Sequence, residues 1–220
     1  MIFAATPPWD ETLARCYFNA ADFCYKVPDA MTLEEAAMVE PVAVACAIAK
    51  MADLLAHQTI LVLGCGPIGV LCQAVAKAYN ARTVVGVDVV QSKLDVAGSY
   101  GVDHTFLPPR AEPGVDPVEH AEKVAAMMNE QLGGATYVQA GMGKKNVLVP
   151  ITTVCTRGLT VNGSIRYLPG CYPAAIDLIS RGQVDVGRLI TNRYAFEKVE
   201  QELVKAGKQD VFKVMIGGVQ

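Results

Sequence analysis

Three glycines at fixed spacing are the residues of this chain with the clearest chemical meaning. Gly64, Gly66 and Gly69 form a G-x-G-x-x-G loop, and Asp88 follows at the offset expected of an acid that recognises a ribose. An apolar run precedes the loop, and a second apolar run ends at Asp88. A lone glycine loop is weak evidence, but this loop with its flanking runs and its acid predicts a dinucleotide-binding site.

Each of these residue types has a physical reason to be there. Gly64 permits the tight turn out of a strand, Gly66 leaves room for a pyrophosphate, and Gly69 lets a helix pack closely on the sheet. The N-terminus of that helix offers N–H groups and a positive dipole to phosphate. Asp88 can accept both ribose hydroxyls and would repel a 2′-phosphate, so NAD is favoured over NADP. The alternative is a glycine-rich turn that binds nothing.

Elements that must position these residues alternate along the chain. Helical spacing of apolar residues runs from Val70 to Tyr79, and Asn80 supplies a stop. The predicted strands are 60–63, 84–87, 104–107, 135–140, 159–165 and 211–216, and the later predicted helices are 92–100, 118–132, 172–181 and 196–206, with 184–190 as a connection. This alternation predicts an α/β fold with a doubly wound parallel sheet.

Two further segments follow predicted strands. Gly141–Gly143 comes after the strand at 135–140, and Ser164–Tyr167 comes at the end of the strand at 159–165. Ligands of doubly wound sheets bind outside the carboxyl ends of the strands. We therefore expect these segments and the glycine loop to share one edge of one sheet.

Composition excludes several functional classes. With 220 residues, 52% of them hydrophobic, and a net charge of −3, the chain has no basic surplus to suggest a nucleic-acid partner. No apolar run reaches the length of a membrane span, so no membrane partner is expected. The first residues lack a basic region followed by an apolar one, which argues against a secretory signal. A cytoplasmic setting follows by default.

Cysteine and histidine spacing predicts no metal site. None of the seven cysteines forms a C-x-x-C pair, and the three histidines are isolated from one another in sequence. The odd cysteine count and the apolar neighbours of Cys46, Cys65 and Cys72 indicate reduced, buried thiols.

Several motifs in a fixed order carry a family resemblance. These are Glu40-Pro41, GCGPIG, VGVD, GGATYVQAGMGK and GSIRY. In this order the chain resembles the zinc-dependent medium-chain dehydrogenases, and within them the polyol branch of sorbitol, xylitol (D-xylulose reductase) and L-arabinitol dehydrogenases. The resemblance implies a Rossmann domain with remnants of a GroES-like catalytic domain, and NAD and zinc as the family's cofactors. It also implies a polyol or ketose substrate and is compatible with a homo-oligomeric assembly. The family reaction is hydride transfer between a polyol carbon and nicotinamide.

Residue by residue, the resemblance assigns roles that each have a simpler alternative. Cofactor-binding positions are Gly64, Gly66, Ile68, Gly69, Asp88, Lys93, Ala140, Gly141, Met142, Ser164, Ile165 and Arg166. Catalytic positions are Glu40 beside the family's zinc, and Arg166 and Tyr167 against the substrate. As alternatives, Glu40 is a helix-end acid, Lys93 a solvated helix residue, and Arg166 with Tyr167 a polar exit from a strand.

Two departures from the family pattern bear on activity. The family's zinc-binding cysteine and adjacent His-Glu pair have no counterpart here, so Glu40 is the one family ligand in place. The family also has a further strand and helix just before Gly133-Gly134. Without that strand, we predict that the strand at 135–140 lies directly beside the strand at 60–63. A truncated product, an erroneous gene model and a diverged relative all stay open as explanations.

We therefore predict an NAD-dependent, polyol-dehydrogenase-like oxidoreductase, with activity impaired or absent in this chain. The alternative is a non-catalytic NAD-binding or partner-binding protein that retains the fold. The predicted division is a catalytic-domain remnant at 1–43, an NAD-binding domain at 44–168, and at 169–220 the helices and strand that complete both domains.

Overall fold

Helices alternate with parallel strands in the computed structural model, which describes residues 16–127, 136–141, 143, 145–146, 149–198 and 211–217. The helices are α1 (Leu33–Ala37), α2 (Val39–Met51), α3 (Pro67–Ala78), α4 (Gln91–Ser99), α5 (Pro117–Met127), α6 (Ile151–Thr156) and α7 (Cys171–Ser180). The strands are β1 (Thr59–Leu63), β2 (Thr83–Val87), β3 (His104–Phe106), β4 (Thr136–Gln139), β5 (Thr160–Gly163), β6 (Ile190–Tyr194) and β7 (Lys213–Ile216). Short 3₁₀ turns lie at Ala21–Phe23, Gly187–Leu189 and Phe196–Lys198.

The β1–α3–β2 unit forms where the glycine loop predicts it. Gly66 is the N-cap of α3 and Pro67 fills its first position, where the missing N–H of proline costs nothing. The helix buries one face, which includes Val70, Leu71 and Val75. Asn80 adopts a left-handed conformation with φ of 62°, which stops the helix at the predicted residue.

The strand pairs that the structure describes are parallel, which confirms the α/β class. β1 pairs with β2 from Thr59↔Thr83 to Leu63↔Val87, and β2 pairs with β3. β4 pairs with β5, and β6 pairs with β7. In the described residues these pairs make three separate hydrogen-bonded groups rather than one continuous sheet.

The predicted pairing of the 135–140 strand with the 60–63 strand is wrong. In the described part of the chain β4 pairs with β5 alone, and β1 pairs with β2 alone. The β4–β5 pair is held at the end of α2, because the Asn162 side chain on β5 donates to the Met51 carbonyl at 2.7 Å.

The core lies mainly among helices α2, α3 and α7. Its fully buried members include Val42, Ala43, Leu71, Val75 and Ala175, which come from all three helices. None of the helices described is both long and apolar enough to span a bilayer. Helix α2 therefore packs against both α7 and α3, the helix that follows the glycine loop.

Two predicted elements differ from the structure near the C-terminal end. Residues 190–194 form strand β6, although the predicted connection ran to residue 190 and no strand was expected after it. The predicted helix at 196–206 begins as the 3₁₀ turn Phe196–Lys198, and its remainder lies outside the described residues.

A carboxylate ties α3 to the sheet. Asp103 accepts a hydrogen bond from the backbone N–H of Val84 at 2.7 Å and pairs with Lys77 of α3 at 3.0 Å. The Val84 hydrogen bond, then the one from Lys77, lower the pKa of Asp103. Since the folded pKa lies below the unfolded value, this stabilisation is present above the unfolded pKa and is lost as pH falls through the folded pKa.

Asp103→Asn is therefore expected to destabilise the chain at neutral pH and to lose most of that effect in acid. Asparagine can still accept from Val84 but carries no charge for Lys77, so the difference in free energy of unfolding should shrink below about pH 4, where the unfolded aspartate becomes protonated. Urea unfolding at several pH values measures this. Glu112→Gln, a charge removal in an exposed loop, is the control, and a difference that grows in acid would contradict the prediction.

Candidate functional site

The glycine loop has the geometry that its sequence predicts. Gly64 lies in a left-handed conformation with φ of 100°, and its N–H donates to the Val87 carbonyl at 2.7 Å. A Cβ placed on Gly69 would lie 1.8 Å from the Gly64 carbonyl oxygen, so helix and turn touch with no room for a side chain. A Cβ placed on Gly66 would meet nothing within 4 Å. The loop is thus tight behind Gly69 and open at Gly66.

The N-terminus of α3 opens onto the same loop. The N-cap is Gly66, which has no side chain to accept the N–H groups of the first turn. The first acceptor inside the helix is the Gly66 carbonyl, which receives the Val70 N–H at 2.9 Å. Together with the open space at Gly66, this terminus suits a phosphate-sized anion.

Asp88 lies directly under the loop. It is only 9% exposed. Its Oδ2 accepts the Cys65 N–H at 2.7 Å and its Oδ1 accepts the Val90 N–H at 2.9 Å. An ionised carboxylate has about four acceptor sites, so two of them are left for other donors such as hydroxyls. The predicted ribose acid therefore also holds the loop in shape.

Beneath the loop lies a buried polar pair that the sequence analysis did not identify. Gln73 and Cys65 are fully buried, and the Gln73 amide donates to the Cys65 sulfur at 3.2 Å. Burial raises the pKa of the Cys65 thiol, so it packs as a neutral group. The sequence signal for this pair is the glutamine at position 73, which lies among the buried apolar residues of α3. A Cβ on Gly86 would come within 2.8 Å of the Gln73 amide nitrogen, so β2 also approaches closely here.

Two predicted cofactor residues border this loop. Ile68 lies in the first turn of α3 and is 37% exposed. Lys93 lies in the first turn of α4. Burial raises the pKa of the Cys65 thiol, and the positive charge of Lys93 lowers that pKa by a smaller amount. The structure thus brings Gly64, Gly66, Gly69, Ile68, Lys93 and Asp88 around one turn.

The second group of predicted cofactor residues follows β4 and β5. The Ser164 N–H donates to the Gln139 carbonyl at 2.9 Å, and the Gln139 amide donates to the Gly141 carbonyl at 2.6 Å. Ala140 lies between them in the chain, and the next predicted residue, Ile165, is exposed. Met142 lies outside the described residues. Within the described ranges β4 and β5 form a sheet of their own, so the expectation that both groups share one edge of one sheet is wrong there.

The predicted catalytic residues lie on helix α2 and in the loop between β5 and α7. Glu40 is in the first turn of α2, where a carboxylate is favoured by the helix dipole. Arg166 has φ of 58°, a left-handed conformation that is uncommon for a residue with a side chain. The ring of Tyr167 packs edge-on against Tyr172, with centroids 4.8 Å apart. Burial raises the pKa of Tyr172, and the negative charge of Glu40 adds to that rise.

A catalytic zinc does not fit the residues that are present. Such a site needs three protein ligands and one open position. All seven cysteines and all three histidines fall within the described ranges, and no three His, Cys, Asp or Glu side chains there are grouped closely enough to hold a metal ion. A dinucleotide does fit, because the space at Gly66 and the terminus of α3 are open to a pyrophosphate.

Comparison with known proteins identifies the family of this chain. Residues 67–181 match a family model described as zinc-binding dehydrogenase. D-xylulose reductase A of Aspergillus niger is 41% identical over 240 residues, covering 100% of this chain and 66% of that protein. The chain therefore spans just under two thirds of the length of this relative. Since the alignment is longer than the 220-residue chain, the relative also contains residues that this chain lacks within the aligned region.

Solved structures agree on the fold. An Escherichia coli oxidoreductase of unknown specificity superposes with a TM-score of 0.83 at 24% identity, covering 99% of this chain and 67% of that one. An Escherichia coli alcohol dehydrogenase in complex with NADH superposes with a TM-score of 0.75 at 24% identity, covering 88% and 62% of the two chains. At this identity the likeness establishes the fold alone.

Proposed function

Because this chain belongs to the zinc-binding dehydrogenase family, we propose that it binds NAD in the glycine loop and that its substrate class is a polyol or the matching ketose. Both parts are proposals, since the chain spans only 66% of a relative named D-xylulose reductase A. The observation that carries the proposal is the loop itself, which is closed behind Gly69 and open at Gly66, with Asp88 beneath it.

Each loop residue has a part in holding the dinucleotide. The first-turn N–H groups of α3 and its positive dipole end would bind the pyrophosphate across Gly66. Asp88 would accept the adenosine ribose hydroxyls with the lone pairs that Cys65 and Val90 leave unused. Lys93 contributes a positive charge close to the same loop. Bound NAD would supply the hydride chemistry that no side chain can perform.

On the substrate side, the residues of this chain can bind and orient a polyol. Arg166 and Tyr167 offer hydrogen-bond donors, and Glu40 offers an acceptor, next to the segment from Ser164 that we assign to the nicotinamide side. The support for this assignment is that the ring of Tyr167 packs against Tyr172, whose pKa is raised by burial and also by the negative charge of Glu40. Fixed donors and acceptors would select a substrate with several hydroxyl groups.

Cofactor preference tests the assignment of Asp88. We expect the unmodified chain to bind NADH about a hundredfold more tightly than NADPH, because placing a 2′-phosphate against a carboxylate costs several kcal/mol. Asp88→Ala should narrow the ratio to about tenfold or less. It should also weaken NADH binding, because the Cys65 and Val90 N–H groups lose their acceptor. Fluorescence titration with both cofactors measures the two affinities.

The matched control is Glu122→Gln, which removes one negative charge from an exposed position of α5. It should leave the ratio of the two affinities unchanged. Equal affinities for NADH and NADPH in the unmodified chain would overturn the assignment of Asp88 as the ribose acid.

A second candidate function is NAD binding without catalysis. It is favoured by the absence, in the described ranges, of any group of three side chains that could hold the family's metal. The two candidates share the glycine loop and differ in turnover alone, so a purified chain that binds NADH but oxidises no polyol supports the second. The division of the chain at residues 43 and 168 stays a prediction.

A further inference from the structure

A fully buried glutamine lies between the glycine loop, helix α3 and strand β2. Gln73 comes from the second turn of α3, and its side-chain amide donates to the sulfur of Cys65 in the loop at 3.2 Å. A Cβ placed on Gly86 of β2 would lie 2.8 Å from the Gln73 amide nitrogen and 3.1 Å from the Cys65 sulfur. Gly86 therefore leaves the space that this pair fills, and the pair joins three elements of the cofactor site.

Gln73 is unfavourable for stability at this position. Its side-chain oxygen is fully buried and receives no hydrogen bond from the residues that the structure describes. A buried acceptor without a donor costs free energy, whereas an apolar side chain of the same shape does not. Sulfur is a weak acceptor, so the hydrogen bond to Cys65 offsets little of that cost. Stability alone therefore favours an apolar residue at position 73, and the amide needs a different explanation.

Cys65 is a loop residue whose backbone needs an anchor. It stands between Gly64 and Gly66, and glycine has more conformational freedom than any other residue. Cys65 supplies the one side chain of this three-residue stretch, and Gln73 holds that side chain against α3. Rotation of the loop about its two glycines would break this contact. The contact therefore keeps the backbone N–H of Cys65 in one direction.

The N–H of Cys65 in turn orients the acid of the cofactor site. It donates to Oδ2 of Asp88 at 2.7 Å, and the N–H of Val90 donates to Oδ1 at 2.9 Å. Two hydrogen bonds on different oxygens fix the plane of the carboxylate, so its remaining lone pairs point in constant directions. Hydrogen bonds from ribose hydroxyls depend on those directions. Direct contacts therefore connect Gln73 through Cys65 to Asp88.

We propose that Gln73 is a positioning residue for cofactor selection, which holds Cys65 so that Asp88 faces the adenosine ribose. The proposal rests on the function proposed above, because it assumes that NAD occupies the glycine loop with its ribose at Asp88. Gln73 itself does not touch the cofactor, since it is fully buried beneath the loop. Its effect on binding passes through Cys65.

Gln73→Met separates this role from packing. Methionine has the same unbranched length as glutamine but has neither the amide donor nor the unpaired oxygen. We expect NADH to bind the variant about fivefold more weakly and NADPH to bind almost as before, so the preference for NADH falls from about a hundredfold to about twentyfold. The urea midpoint of unfolding should rise, because the unpaired buried oxygen is gone. A purely structural role would instead lower that midpoint and weaken the binding of both cofactors by the same factor.

Cys65→Ala removes the same contact from its other side and leaves Gln73 in place. It should lower the preference for NADH to a similar value, as measured by fluorescence titration with both cofactors. In the double variant, Gln73→Met should change the preference no further, because Gln73 has no sulfur to hold once Cys65 is alanine.

Gln58→Met is the matched control, because it makes the same chemical change at an exposed glutamine. Gln58 directly precedes β1, at the end of that strand away from the glycine loop. Its replacement should leave the preference for NADH unchanged.

The outcomes distinguish the two proposals. An unmodified chain that prefers NADH, with the same preference in Gln73→Met and Cys65→Ala, would overturn the positioning role alone. Additive effects of the two substitutions in the double variant would also overturn it, because Gln73 would then act independently of Cys65. An unmodified chain that binds neither cofactor would overturn the proposed function, and the role of Gln73 with it.

Discussion

Gly69→Ala is expected to abolish measurable NADH binding and to destabilise the chain. A methyl group at this position would lie 1.8 Å from the carbonyl oxygen of Gly64 and 2.9 Å from its carbonyl carbon. Both are backbone atoms of the turn that follows β1, so neither can move aside as a flexible side chain would. Overpacking of this kind costs about 1–3 kcal/mol or more. The backbone must shift where the pyrophosphate would lie, and both NADH titration and urea unfolding should report the loss.

Gly98→Ala is the matched control, because it makes the same chemical change at a helical glycine. Gly98 lies in α4, and a Cβ there would meet nothing within 4 Å. Alanine should raise the free energy of unfolding by about 0.5–1 kcal/mol and leave NADH binding intact. A Gly69→Ala chain with the NADH affinity of the unmodified chain would contradict the contact between helix and turn.

The β1–α3–β2 unit could be predicted because its determinants are local. The strands predicted at 60–63 and 84–87 are present as Thr59–Leu63 and Thr83–Val87. Asn80 ends α3 with a positive φ, as its residue type predicts. Loop, helix stop and acid each depend on residues within one supersecondary unit, so the sequence pattern alone was sufficient.

The neighbour of β4 could not be predicted from its own residues. An apolar strand can pair with either of two partners. Here β4 pairs with β5, which is held at the end of α2 because Asn162 donates to the Met51 carbonyl. That contact joins residues 111 positions apart in the chain. A strand pattern carries no information about so distant a partner. Strand β6 was not predicted for a related reason, since its short run ITNRY lacks a continuous apolar signal.

The candidate site was also predictable only in part. Family motifs supplied Glu40, Arg166 and Tyr167 as candidates but not the aromatic contacts of Tyr167. Tyr172 connects Tyr167 with Tyr25, which lies far away in sequence, and neither aromatic residue belongs to a motif. Tyr25 precedes α1, Tyr167 precedes α7 and Tyr172 lies on α7, so this cluster of three rings depends on contacts between separate segments that no helical periodicity encodes.

The purified chain is expected to bind NADH but neither to hold stoichiometric zinc nor to oxidise a polyol. A catalytic zinc needs three protein ligands. In the described ranges, which include every cysteine and histidine, no group of three suitable side chains is close enough together. Glu40, which the family resemblance places beside the zinc, cannot fix a metal alone. Since a Lewis acid contributes several kcal/mol to such a reaction and each 1.36 kcal/mol changes the rate about tenfold, turnover should fall by orders of magnitude.

Metal analysis and an NADH-formation assay decide this last prediction. The chain is purified with zinc in the buffer, dialysed and analysed for bound metal, and then assayed with xylitol and sorbitol at saturating NAD with and without added zinc. NADH binding by the same preparation shows that the chain is folded, so a negative assay cannot be ascribed to unfolding. Glu40→Gln serves as the comparison and should match the unmodified chain in metal content and in NADH affinity. Stoichiometric zinc that depends on Glu40, together with zinc-dependent NADH formation, would contradict the prediction.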